Sequence, residues 1–478
     1  MSVLTALARI EAVRQGRAQR IAAVRHVHLA ERPMVVIPLG LAGEANAPLG
    51  ALVGTDREHP ALLTVPQPRN RDLRFAFAAE LAGLLVPYLE GFSADAETVE
   101  PKRGEPYERS LDAPQLIVPN RPGAAFLKLL GRSTRFRRTD GPYPVDPSVP
   151  SLGRWLTYLA DRSEHPGSCL LLPATEALSL HWATGQSSLE DANLGALLAW
   201  ITDGPQAALR AEDPAHLPPA GPATDPGFDN AVLEPLIRAH DEGTPVEEKI
   251  ADALLTQLEP TWRLVWQAVD LLREIPAGAS VASRWEGDRA SYTGFAASFA
   301  ESHPQPRRDS AVAAAARLDK LERAQAGYEV ARAFDDPLLM AEHRLKGQAY
   351  TGEVVDADPG RIVDSDKNRK LLRPLVTVST TDPVRLAAGD EVTCVERPEL
   401  GGTVHSLDGA LITVEISKGM GTLTKPAPLP EGRVAFTTLK RDFQQPATFP
   451  EREETPWTHG GPPPEYVPAE EDAVEEWA

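Results

Sequence analysis

Between residues 350 and 442 the chain alternates apolar and polar side chains in short runs, within a sequence whose remaining periodicity is helical and broken by proline. The runs that begin at Gly352, Leu375, Asp390, Gly402, Leu411 and Val434 are rich in β-branched residues and bounded by turn formers, so each predicts a strand. Asp408 and Gly409 form the pair suited to the left-handed backbone of a tight hairpin. Beyond it Leu411, Thr413 and Glu415 alternate with Ile412, Val414 and Ile416. Strands this short do not stand alone, and together they predict one small antiparallel β-barrel near the C-terminus.

Helical spacing governs most of the rest. Leu4, Leu7, Ile10, Val13, Ile21 and Val24 predict one basic opening helix over residues 4–29. Residues 32–43, 51–54 and 61–65 read as buried strands, 72–89 as a helix, 114–119 and 167–173 as further strands, and 124–130, 151–162 and 189–201 as helices. Residues 1–202 are thus expected to form a mixed α/β domain. Residues 203–227, rich in Pro, Ala, Gly and Asp, predict a linker. Residues 228–349 read as an all-helical region, with Trp262 and Trp266 four apart on one face. After a break over 278–306, its last part, 310–349, forms a long arm into the barrel at 350–442. Residues 443–478 are Pro- and Glu-rich and predict a disordered acidic tail with one aromatic hook, Trp477.

Composition narrows the function. A chain of 478 residues that is 42% hydrophobic has material for about three cored domains. Its 49 basic and 68 acidic residues give a net charge of −19, which opposes generic adhesion to phosphate backbones or anionic lipid, so any nucleic-acid contact has to be local. Cys169 and Cys394 are too few for a disulfide framework or a zinc cage. No run reaches the ~20 apolar residues of a membrane span, and residues 1–25 lack a signal-peptide core, which predicts a cytoplasmic protein without membrane contact.

Catalytic signatures are sparse. Gly40–Gly50 keeps glycines after a strand but lacks the Lys and hydroxyl that engage phosphate and metal, so no ATPase is expected. His26 and His28 have no third donor at ligand spacing, Cys169 heads a buried strand, and Glu80, Glu176, Glu190 and Asp191 suit helix solvation better than a metal cluster, so no metal or cofactor is expected. Two basic clusters stand out against the acidic background: Arg132, Arg135, Arg137 and Arg138 around Phe136, and Lys367, Arg369, Lys370 and Arg373 before a barrel strand. Each suits phosphate contact, and Phe136 suits base stacking.

The helical arm of residues 310–349, followed by the barrel sequences at 352–358, 386–392 and 402–409, resembles the stalk and 1B barrel of UPF-type superfamily 1 helicases. In that family the barrel contacts single-stranded nucleic acid and a motor follows; here a Pro-rich acidic segment stands in the motor's place. The resemblance implies a non-catalytic accessory or scaffold protein of a nucleic-acid-processing complex, of the kind found in antiviral defence, docking on a separately encoded helicase or ATPase and contacting single strands through the barrel. The second reading that the residues leave open is a divergent hydrolase or nuclease with its active site in residues 32–201.

Overall fold

A computed structural model describes residues 2–101, 104–364, 369–441 and 445–449. The chain divides into two compact units: Gln325–Gln445 with Met1–Ala6 and Ile21–Ala23, and Leu7–Arg20 with Val24–Ala324.

The larger unit is built on a five-stranded sheet. Its strands are β1 (Met34–Gly40), β2 (Pro48–Gly54), β3 (Ala61–Thr64), β4 (Leu116–Val118) and β5 (Leu171–Pro173), in the order β3-β2-β1-β4-β5. β1, β2 and β3 form an antiparallel meander, whereas β4 lies parallel to β1 and β5 parallel to β4. Every residue of β1, β4 and β5 is buried, as the near-continuous apolar runs require of strands covered on both faces. Helices α2 (Arg71–Gly91), α3 (Arg121–Thr134), α4 (Ser148–Ser163), α5 (Leu194–Thr202), α6 (Glu247–Arg273) and α7 (Ser280–Ala300) supply the other half of the core. α2 starts where the Asn70 side chain accepts the Asp72 and Leu73 amides, and α3 where Asn120 accepts that of Gly123.

Several expectations are corrected. The opening helix, α1 (Val3–Gln15), ends at Gly16, whose φ of +59° no helix continues, so residues 17–29 are not helical. Residues 203–227 are no linker between units: they hold the helix Pro205–Glu212, and Gly40 donates its amide to the Pro222 carbonyl at 2.6 Å. The division between units falls instead within α8 (Ala311–Asp335). The break expected over 278–306 contains α7, which buries Val281, Trp285, Asp288 and Tyr292. The arm stops at Asp336, because Pro337 cannot continue a helix and Asp336 caps a new one, α9 (Pro337–Leu345). An Ala96–Val99/Tyr107–Ser110 hairpin had no expectation.

The smaller unit carries the barrel as expected. β6 (Ala349–Asp358), β7 (Leu375–Thr380), β8 (Glu391–Cys394), β9 (Gly401–Asp408), β10 (Leu411–Lys418) and β11 (Arg433–Thr437) close in the order β6-β7-β10-β9-β8-β11, each neighbour antiparallel. Ile412, Val414 and Ile416 point inward, with Tyr350, Val376, Val378, Val404 and Phe436, so the barrel is filled and not a channel. Register shifts between Val354 and Asp356 and between Val404 and Ser406 supply the local bends that closure needs.

Candidate nucleic-acid interface

The clearest concave site lies on the larger unit. In the first turns of α2, Arg71, Arg74 and Phe75 fall at spacings of three and four and so share one face; on α3, Phe126, Leu129, Leu130 and Ser133 do the same. These two faces, with Asn46 from the β1–β2 turn, Pro48 at the start of β2, and Arg137 and Tyr143 from the chain after α3, enclose a cleft of about 330 Å³. Among the described residues, three arginines line it and no carboxylate does.

Ring and backbone contacts hold the guanidinium groups. Arg71 lies 4.7 Å above the Phe75 ring and 5.8 Å from that of Tyr143, and donates to the Tyr143 carbonyl at 2.9 Å and to Asp72 at 2.8 Å. Arg137 lies 5.4 Å from the Phe75 ring and donates to the Ser133 carbonyl at 2.9 Å. Arg74 donates to the Asn46 carbonyl at 3.0 Å, and Asn46 tolerates the positive φ of 57° that this turn demands. Tyr143 is 74% exposed, so its ring forms an outer wall of the cleft. The result is an apolar slot with cations against its aromatic walls, chemistry that favours a flat ring carrying negative charge.

The first basic cluster therefore divides. Arg137 enters the cleft, while Arg132 and Arg138 are exposed on the chain that leads to and from it. Arg135 covers the Phe136 ring at 4.5 Å and donates to the Arg307 carbonyl at 3.4 Å, which occupies one face of the ring expected to stack a base. The aromatic walls are Phe75, Phe126 and Tyr143 instead. They escaped sequence reading because they lie on three separate segments; the signal in the sequence that points to one wall is the i, i+3, i+4 spacing of Arg71, Arg74 and Phe75.

The second cluster is less free. Lys370 pairs in register with Asp364 on the Ile362–Asp364/Lys370–Leu372 hairpin. Glu415 accepts Arg361 at 2.6 Å and draws Arg373 to 4.0 Å, so one carboxylate counters two cations. Arg369 is exposed. Lys367 and Trp477 lie outside the described residues.

The carboxyl ends of parallel strands are the usual ligand crevice of an α/β sheet. Here the chain's own residues 220–224 lie there. Asn120, just after β4, donates to the Gly221 carbonyl at 3.0 Å, and Thr224 donates its amide to the Gly40 carbonyl at 3.3 Å. Glu176 pairs with Arg121, Asp191 with Arg9 and Thr184, and the carboxylate of Glu190 accepts the Ser187 amide, while Glu80 is exposed. Among the described residues no three His, Cys, Asp or Glu side chains converge as metal ligands, and no helix is long and apolar enough to cross a membrane. The His26 amide donates to His181 Nε2 at 2.9 Å, which places the His181 proton on Nδ1, facing the Ala177 carbonyl at 2.6 Å. Burial pushes the Cys169 thiol up to about 12, so its sulfur accepts the His28 amide at 3.2 Å as a neutral group.

No protein family, curated protein or solved structure matches this chain, so the likeness to the helicase stalk and barrel rests on its own residues alone.

Proposed function

We propose that the chain is a non-catalytic accessory protein of a nucleic-acid-processing complex, partnered by a separately encoded helicase or ATPase, and that it holds an unpaired nucleotide of a single strand in the cleft of its larger unit. The observation that supports this reading is the meeting of Arg71, Arg74 and Arg137 with Phe75, Phe126 and Tyr143 in one slot of about 330 Å³, inside a chain of net charge −19. A slot of that size takes one base and its sugar, not a duplex. Stacking of a base on such walls contributes roughly 1–3 kcal/mol, and the guanidinium groups, with Arg132 and Arg138 along the approach, meet the flanking phosphates. The barrel takes the lesser part in this reading, since Glu415 counters its Arg373.

The test is fluorescence anisotropy of a labelled 12-mer with the full chain across a salt series. Single-stranded DNA or RNA should bind and a blunt duplex should not. Arg71→Ala and Arg137→Ala should each weaken binding and flatten the salt slope by about one unit, whereas Phe75→Leu should weaken it at every salt concentration. Absence of binding at about 50 mM salt, or indifference to all three substitutions, overturns the reading.

A further inference from the structure

We infer that the same cleft is the docking site of the chain's own acidic C-terminal segment, residues 465–478, which seats the Trp477 indole against Phe75 and Phe126 and brings Glu475 and Glu476 to Arg71 and Arg137, competing there with nucleic acid. The inference rests on the cleft reading given above and adds its regulation.

Charge and shape select this occupant. Residues 465–478 carry six acidic side chains and no Lys, Arg or His, so the −19 chain repels this segment from most of its own surface. The cleft reverses that sign: among the described residues three guanidinium groups line it, Arg71 pairing with the neighbouring carboxylate of Asp72, and no carboxylate is itself in the lining. Its apolar floor then asks for a ring, and the segment supplies one with glutamates immediately beside it. Indole is the best cation–π acceptor among side chains and matches a base in flatness and width, so an aromatic residue flanked by carboxylates presents the chemistry of a nucleotide flanked by phosphates.

Reach is ample. The described chain ends its course on the larger unit at Ala447, whose amide donates to Asp319 at 3.4 Å. From Phe449 to Trp477 there are 28 residues, an extended reach of roughly 90 Å, against a radius of gyration of about 20 Å for a body of that unit's size. Tethering then does most of the energetic work. At an effective concentration of about 1 mM, even a peptide site with Kd of about 0.1 mM is roughly 90% filled, which lowers the apparent affinity for a competing strand about tenfold.

The experiment uses the full chain, a variant combining Glu475→Gln, Glu476→Gln and Trp477→Ala, and a labelled synthetic peptide of residues 465–478. The variant should bind the 12-mer about tenfold tighter than the natural sequence, the peptide should bind the variant and displace the 12-mer from it, and adding Arg137→Ala should abolish peptide binding. An unchanged 12-mer affinity with no peptide binding overturns the docking and leaves the nucleic-acid reading standing. Peptide binding that depends on Arg137, in a chain that binds no oligonucleotide in either form, overturns the nucleic-acid reading and leaves the docking standing. Peptide binding indifferent to Arg137→Ala places the segment elsewhere and overturns the inference.

Discussion

Asp288, 1% exposed on α7, accepts Arg162 of α4 at 2.8 Å and the Cys169 amide ahead of β5 at 2.7 Å, so one carboxylate ties two helices to the edge strand. Removing it leaves the Arg162 charge buried without its counterion. Asp288→Ala should cost about 3–5 kcal/mol, measured by urea unfolding, and Asp288→Asn less, since an amide oxygen still accepts one of the two donors. The same neighbourhood sets a pH response. Burial holds the imidazoles of His28 and His165 down to about 4, outweighing the upward pull of Asp112 and Asp288 on His28 and of Asp288 on His165, while Arg25 and Arg162 add to the depression. In the unfolded chain both titrate near the ordinary ~6.5. The unfolded state therefore binds protons that the folded state refuses, and stability present above pH ~6.5 falls as pH drops toward 4. After allowance for solvent screening the loss is on the order of 1–2 kcal/mol for the pair, and His165→Gln should flatten it in urea midpoints compared at pH 7.5 and 5.0. Neither role was legible in the sequence. Asp288 looked like one acid among many, and its burial depends on strands more than a hundred residues away.

Among elements, the barrel was the most legible, because its strands announce themselves as short β-branched runs and one hairpin by an Asp-Gly pair; inward Ile412, Val414 and Ile416 and outward Leu411, Thr413 and Glu415 fall as the alternation requires. Helix ends were less so. The Ser280–Ala300 helix carries Val281, Trp285, Asp288 and Tyr292 at helical spacing, yet its serines, glycines and a buried acid hid the apolar stripe from a hydrophobicity reading. Glycines in the barrel have separable roles. A Cβ on Gly352 would run into the Ser379 carbonyl and one on Gly402 into that of Glu415, because strands approach there with no room for a side chain, while Gly360 has open space around it. Gly352→Ala and Gly402→Ala should each destabilise the barrel by roughly 1–3 kcal/mol and Gly360→Ala should have little effect, as thermal unfolding followed by circular dichroism would read.

At the scale of the molecule, the barrel's core and the sheet's core share no residue. Each should then answer to its own mutations: Ile412→Ala should lower one unfolding transition by about 2–5 kcal/mol and leave the other in place, and Leu197→Ala should do the converse, as calorimetry of the full chain resolves. The two-unit division itself was not legible, since α8 runs through the boundary without a composition shift, and the Pro-rich 203–227 segment advertised a boundary where there is none. That segment also imposes an order of events. Residues 220–224 meet Gly40 and Asn120 across separations of about 180 and 100 residues, so their docking closes long loops of the larger unit and brings its hydrogen bonds only after β1 and β4 already lie side by side. The amides of Gly40 and Thr224 should accordingly gain protection in pulsed hydrogen exchange after those of Val35 and Val36. Until they do, the nascent sheet stands open at the carboxyl ends of its parallel strands, and the mature protein is the state in which its own backbone has taken the seat usually left for a ligand.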